Sequence, residues 1–521
     1  MKLNKRWRGF LVVTGTIFFG IVVWGLIQLW DRHPGYWVDI EIKGEQKAVI
    51  HAGFAAVSIN PPLTDTWQDV NNDAEFHEEE GDTYTDVNGN GQFDPFWIAG
   101  FGKYRAANGI HDTLWARAMV LDDGNTKIAL VSIDAIGFGS DDIISARKMI
   151  PESAGIDYTI VTSTHTHEVP DLLGLWGPGF FKSGINQDYI QLVREKIAEA
   201  ATQAAEKAKP VKIRLAQDLI GSKDLVGDTR KPIVLDPGLY LLQAIDTATD
   251  QSLGTLVGWA NHPETLWNKN LLVSSDFPHY VREYMEKGIY DSKDSVLVKG
   301  LGGTVVYVNG AIGGLMTTTP RMTINDPFTG KVYKEASFEK IDIQGKALAK
   351  LAIAALDSTA EEIQEATISL VAKSLALKLD NPLFRLAAFT GVLDRGMVGW
   401  MKMRSEVAAW QLGPASFIHV PGEIYPEIVN GGIEAPEGQD FEIQPLEIPP
   451  LRDKMTGRYK FVVGLSNDMI GYIIPKSEWD EEAPHIYGED SSPYGEINSV
   501  GPETAPIIHQ AVLDCLERLG Q

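Results

Sequence analysis

A chain of 521 residues carrying a formal net charge of -24, with a pI near 4.9, is long enough to bury one large core or two ordinary ones. The acidic balance excludes a nucleic-acid groove, because phosphate recognition needs clustered Lys and Arg. The single cysteine, Cys515, excludes both an intrachain disulfide and a thiolate zinc knuckle.

In chain order, Lys2, Lys5, Arg6 and Arg8 precede an uncharged run from Phe10 to Trp30. As a helix that run is about 31 Å long and matches a bilayer core. The stretch after it has no small-x-small cleavage site, which favours an uncleaved anchor over a removed signal peptide. The basic flank places residues 1–9 in the cytoplasm and the bulk of the chain in the periplasm or outside the cell. Trp24, Trp30 and Trp37 suit an interfacial aromatic belt. Residues 31–47 read as a spacer, and residues 48–521 as one continuous large domain.

Residues 72–97 form an acidic insertion. Within it, Asp86, Asn88, Asn90 and Asp94 place oxygen side chains at the first, third, fifth and ninth positions around a turn glycine, Gly91. That spacing resembles the start of an EF-hand loop and favours calcium, with an Asn-Gly turn as the alternative. Trp97 stands where the loop's twelfth-position glutamate belongs; Glu78, Glu79, Glu80 and Asp82 are candidates to complete the shell.

Short Val- and Ile-rich runs at 128–136, 158–163, 255–260, 304–308, 415–420 and 460–465 read as buried strands. Helical patterns at 189–209 and 338–357 lie between them. The alternation predicts an α/β fold, a layered mixed β-sheet with flanking helices. Five runs stop at polar or glycine-rich groups: Thr164–His167, Asn261–Pro263, Asn309–Ala311, Pro421–Glu423 and Ser466–Asp468. Ligands of open α/β sheets gather at the carboxyl ends of strands, so these endings predict one crevice.

The sharpest signal is Thr164-His165-Thr166-His167 after a β-branched run. In an extended strand this spacing puts both imidazoles on one face, about 6.6 Å apart. With His262 and Glu423 they form the nitrogen and carboxylate set that catalytic zinc prefers. Alone, His262 reads as a loop histidine and Glu423 as a carboxylate at a helix start. Ser274 and Ser275 read as a helix N-cap, with Asp276 and His279 in the first turn. His111, Asp112 and Asp134 lie near strand ends and read as buried structural hydrogen-bonding groups, with support of the site as the alternative. The stretch 480–496 reads as a mobile acidic rim with Tyr487 a substrate contact.

Gly109-Ile110-His111 with Trp115–Ala118, Ser163–His167, Asn261-His262-Pro263, Val420–Glu423, and Gly464–Asn467 followed by Tyr472 occur in an order that resembles the catalytic N-terminal domain of the neutral or alkaline non-lysosomal ceramidases. The resemblance implies a zinc-dependent hydrolase of an amide (N-acyl) or ester bond that acts through a zinc-activated water. It implies that His165, His262, Glu423 and Tyr472 bind the metal and that His167 faces the substrate, although the residues alone leave open which of His165 and His167 is the direct ligand. Two departures stand out. Met316 occupies the position of the family's active-site serine, with Thr317 the nearest hydroxyl, and Glu168 to Asp171 add acid after the second histidine. The chain also leaves no room for the family's C-terminal immunoglobulin-like domain. The expected partners are a small-molecule or lipid substrate and a membrane. The alternatives are a non-catalytic, metal-stabilised surface protein that binds lipid or glycan, and a calcium-dependent adhesion module.

Overall fold

The structure, a computed structural model, describes residues 5–63, 65–318 and 322–520; Lys2 of the basic flank lies outside the described residues. The first helix, Lys5–Gln28, contains the apolar stretch Gly9–Gln28, with a mean hydropathy of 2.4 and only 6% of it buried. It stands out from a body built as helix, sheet, sheet, helix.

The larger sheet orders the strands Thr304–Asn309, Ser252–Trp259, Leu239–Asp246, Lys209–Asp218, His51–Ser58, Trp115–Asp122, Lys127–Ile133 and Tyr158–Ser163. The smaller sheet orders Asp39–Ile42, Ile368–Lys378, Lys402–Leu412, Ala415–His419 and Tyr459–Val463. Most neighbours are antiparallel. Parallel pairing joins Ser252–Trp259 to Thr304–Asn309, Lys127–Ile133 to Tyr158–Ser163, and Ala415–His419 to Tyr459–Val463.

Strands such as Thr304–Asn309 and Tyr158–Ser163 read as near-continuous β-branched runs because both faces are covered. Every residue of Tyr158–Ser163 is buried. Between the sheets, Trp410 stacks on Phe417 at 3.6 Å and Phe417 on Phe461 at 4.4 Å. The outer face of the larger sheet carries Gln187–Glu206, Phe277–Lys287 and Phe338–Thr359, and the smaller sheet carries Thr504–Leu519. Both long helices begin at side-chain caps: Asn186 accepts from the Tyr189 N–H and Ser337 from the Lys340 N–H.

The third helix on that face, Phe277–Lys287, starts differently from the reading of Ser274 and Ser275. Asp276 is the cap, accepting the Phe277 N–H, and both serine hydroxyls donate to Asp112. Asp276 has φ +58 and ψ -148, a strained conformation outside the left-handed helical region, held by the buried hydrogen bonds of its side chain to the Phe277 and Leu266 N–H groups. Asp134 and Asp112 are buried structural groups, Asp134 in a bidentate pair with Arg282. His111 instead is exposed, stacked on Phe338.

Candidate functional site at the strand ends

The five strand endings meet. The Asn309 amide donates to the carbonyls of Thr164 and Asn261 at 3.0 and 2.9 Å, and the Asn309 carbonyl accepts the Gly464 N–H. Leu465 N–H bonds to the Gly422 carbonyl, and Asn467 N–H to that of Val161 at 2.7 Å. Each ending satisfies backbone groups that another leaves orphaned, so the polar crevice has a fixed floor.

The two histidines of the T-H-T-H segment do not stand on a strand. The strand stops at Ser163, and His165 has φ +68, a left-handed turn that is costly for a side chain with a Cβ. The turn brings the two rings to 4.9 Å between centroids and nearly perpendicular, at 82°, where an extended chain would leave them parallel neighbours. His262 joins them, 4.9 Å from His165 and 5.8 Å from His167. Ring nitrogens of all three lie within 4.8 Å of one another. Gly100, at φ +103, runs so close to His167 that a Cβ would sit 2.5 Å from that residue's own Cβ.

Backbone carbonyls set the tautomers. His165 Nδ1 donates to the Ile136 carbonyl at 2.5 Å and His262 Nδ1 to the Met316 carbonyl at 2.8 Å. In both rings Nε2 is left to face inward, as in metal-ligating histidines held by an outer partner. Glu423 Oε2 lies 3.0 Å from His262 Nε2 and 3.5 Å from His165 Nε2. Burial works against ionising Glu423, yet the imidazoles of His165 and His262 hold its carboxyl far below the usual range. Burial likewise depresses His262, but the Glu423 hydrogen bond and the charges of Glu264 and Glu423 lift it above its ordinary value.

His167 is different. Burial, aided by His165 and His262, pushes it well below its ordinary value, so it is neutral. Both its ring nitrogens are buried without a hydrogen-bond partner; Glu264 Oε2 lies 3.3 Å from Nδ1 but off hydrogen-bond geometry. Two buried ring nitrogens without a partner are costly unless a ligand meets them. The nitrogen and carboxylate donors, the carbonyl-held rings and these orphaned atoms together fit a divalent transition metal.

All seven residues expected at the site line one cavity of about 1,200 Å³: His165, His167, His262, Thr317, Glu423, Tyr472 and Tyr487. Tyr472 pairs beside Glu423 through the short parallel ladder of Glu423–Ile424 with Tyr472–Ile473. Glu423 thus sits on a strand, and the helix Pro426–Asn430 begins after it. Met316 has its side chain in the core and only its carbonyl at the site. Thr317 lines the cavity and donates its hydroxyl to Glu264 Oε1 at 2.5 Å. Glu264 went unread in the sequence, although Asn-His-Pro-Glu places it two residues after a candidate ligand; burial raises its carboxyl.

Two expectations are corrected. Glu168 and Asp171 do not acidify the cavity: Glu168 is buried against Arg105 and Asn270, and Asp171 accepts backbone N–H groups of Leu173, Gly174 and Trp176. The rim from Asp480 to Glu496 is not a free acidic strap. Glu496 makes a buried bidentate pair with Arg230, and Tyr487 donates to Glu434 at 2.7 Å. At the Asp86–Asp94 loop, Asp65 accepts from the Val87 and Asp94 N–H groups, while Asp82 accepts from the Val70 and His77 N–H groups. Asp86 itself accepts from the Gly89, Asn90 and Gly91 N–H groups, and none of these residues lines the cavity.

Fold and site together define a two-sheet α/β scaffold with an imidazole cluster, able to hold a metal, at its strand ends. No protein-family model and no curated protein matches the chain. Among solved structures it is similar to the neutral ceramidase from Pseudomonas aeruginosa, with a TM-score of 0.61 and 13% identity over 90% of this chain and 74% of that one. It is also similar to a ceramidase complexed with C2, with a TM-score of 0.60 and 13% identity over 91% and 75%. At that identity the likeness is one of fold.

Proposed function

We propose that this chain is a zinc-dependent hydrolase of an amide (N-acyl) or ester bond in a lipid-like substrate, anchored in a membrane by its first helix and facing away from the cytoplasm. The observation that carries the reading is the convergence of His165, His167, His262 and Glu423 at the floor of one largely apolar cavity. His165, His262 and Glu423, with Tyr472 beside them, would hold the metal. Bound there, it supplies Lewis acidity toward a carbonyl and brings the pKa of a water toward ~7.

The chain's own groups supply the rest. The carbonyls of Ile136 and Met316 keep the ligating rings in one tautomer. His167, neutral and facing the cavity, is placed to hold a proton or a developing oxyanion. Thr317 Oγ1, Glu264 and His167 Nδ1 form a row along the wall, so Thr317 takes the part of the hydroxyl that Met316 does not provide. Phe101, Leu172, Trp176 and Tyr494 make the wall that would receive an acyl chain and exclude water.

Retention of the anchor is supported by its packing. A cleaved helix would strip Leu29 from the core cluster it shares with Ala388 and Met397. We also read Asp86–Asp94 as a structural calcium loop, supported by the spacing of its oxygens and the tight turn around Asp86.

The test is elemental analysis of the full-length protein together with an N-acyl and ester hydrolysis panel. One zinc per chain and turnover are expected, with both lost in His262→Ala. Full turnover by metal-free protein would refute the metal reading. A zinc-loaded protein that turns over nothing would refute the hydrolase reading in favour of a binding protein.

A further inference from the structure

The apolar N-terminal helix does not hang from the body by a free spacer; it is locked to the wall of the cavity. Its last turns meet the segment Pro382–Met397. A Cβ on Gly25 would fall 2.2 Å from the Phe389 ring, so helix and ring are in intimate contact. The Leu29 carbonyl accepts the Met397 N–H, and a Cβ on Gly396 would sit 2.7 Å from the Trp30 carbonyl. The chain leaving the helix is then pinned by charge. Asp31 accepts from Arg404 at 2.8 Å, Arg32 pairs with Asp394, and His33 Nε2 donates to the Asp141 carbonyl at 2.8 Å. Phe384, Leu393, Asp394 and Asp141 line the cavity itself.

The wall segment opens with a short helix, Pro382–Phe389, which turns Ala388 into the core and leaves Leu383 and Leu386 44% and 41% exposed. Beside it, Gly174 packs on the Val392 carbonyl, at the start of a loop that exposes Phe180 and Phe181 at 59% and 64%. On the other flank Asn381 donates to the Ile497 carbonyl; Ile497 lines the cavity and is 52% exposed. Apolar side chains thus ring the cavity on the side where the membrane helix joins the body. Large apolar groups gathered on a soluble face mark an interaction site.

We propose that this ring, centred on Pro382–Phe389, is seated on the surface of the bilayer that the first helix spans, and that the cavity takes its substrate laterally out of that leaflet. The inference rests on the reading of the first helix as an anchor and of the cavity as a lipid-hydrolysing site. The occupant follows from continuity: the exposed helix face is contiguous with residues 25–30, which end the apolar span. A net charge of -24 points to a zwitterionic leaflet held by apolar insertion, because anionic headgroups would repel the body.

The test uses the full chain reconstituted in phosphatidylcholine nanodiscs. Cys515 is buried, so an environment-sensitive thiol probe reports only an introduced cysteine. A probe at Leu386→Cys should be quenched at least twofold by doxyl-labelled phosphatidylcholine. A probe at Val296→Cys should not, since that hairpin precedes the strand Thr304–Asn309 whose far end carries the site. An unquenched Leu386 probe overturns the proposal, and copy-to-copy disulfide formation through Leu386→Cys would assign the face to a second chain instead. In the activity arm, Leu383→Asp with Leu386→Asp should lower turnover of a bilayer-embedded long-chain amide at least tenfold and leave a soluble short-chain amide unchanged. Equal loss on both substrates overturns lateral uptake. A wild type inactive on both refutes the hydrolase reading alone, while the quenching arm still decides where the face sits.

Discussion

Arg230 and Glu496 give the structure its most demanding prediction. Their side chains are 3% and 1% exposed, and two 2.8 Å hydrogen bonds join them. Arg230 also donates to the Glu478 carbonyl at 3.0 Å, and Glu496 Oε1 accepts the Asp480 N–H at 3.1 Å. The pair is therefore the clasp that ties the rim carrying Tyr487 and Tyr494 to the body. In Glu496→Ala the buried guanidinium loses the carboxylate paired with it, which costs about 3–5 kcal/mol. Arg230→Met costs less, because an unpaired carboxyl can take up a proton. Arg230→Met combined with Glu496→Leu removes both charges and fills the space, so its stability should fall within ~1 kcal/mol of wild type. Urea unfolding of the full chain in detergent, read as a double-mutant cycle closed with the Glu496→Leu single variant, should show a coupling of about 2–4 kcal/mol. Limited proteolysis should cut between residues 480 and 496 only in the single variants. A Glu496→Ala protein within ~1 kcal/mol of wild type, or a double variant as unstable as the sum of the singles, would refute the reasoning.

Two further predictions follow the same logic. Burial raises the Asp276 carboxyl to about 7, whereas in the unfolded chain it titrates near ~4. Between those values the folded state binds the extra proton, so stability falls as pH rises through the window. Asp276→Asn, which pays a constant offset for the lost Leu266 N–H acceptor, should gain on wild type steadily from about pH 4 to 7 and then level off; parallel stability curves would contradict the shift. At the Asp86–Asp94 loop, calcium at 100 times its Kd should stabilise the full chain by about 2.7 kcal/mol and do nothing for Asp86→Ala. An unchanged unfolding midpoint in wild type would remove the calcium reading.

The runs at 128–136, 158–163, 255–260, 304–308, 415–420 and 460–465 and the two longest flanking helices were legible from the order of residues, because burial demands Val- and Ile-rich runs and apolar stripes at helical spacing. Trp115–Asp122, Lys209–Asp218, Leu239–Asp246, Ile368–Lys378 and Lys402–Leu412 were not, because charged and polar residues interrupt them. Tyr158–Ser163 matches to the residue, and the polar strand endings were visible as candidates for one crevice. What the chain order could not carry was the turn at His165, the cap at Asp276, the carbonyls that orient two rings, or the fate of charged groups. Glu168, Asp171 and Glu496 look like solvated acid in sequence, and only the tertiary structure decides that each is spent on an arginine or on backbone N–H groups. Partners hundreds of residues apart leave no local period to read; their pairing is set by which strand ends the two sheets bring together. The same holds for the first helix, whose sequence is long and apolar enough to cross a membrane, while the contacts of this segment with Phe389 and Met397 exist only after the body has folded against it.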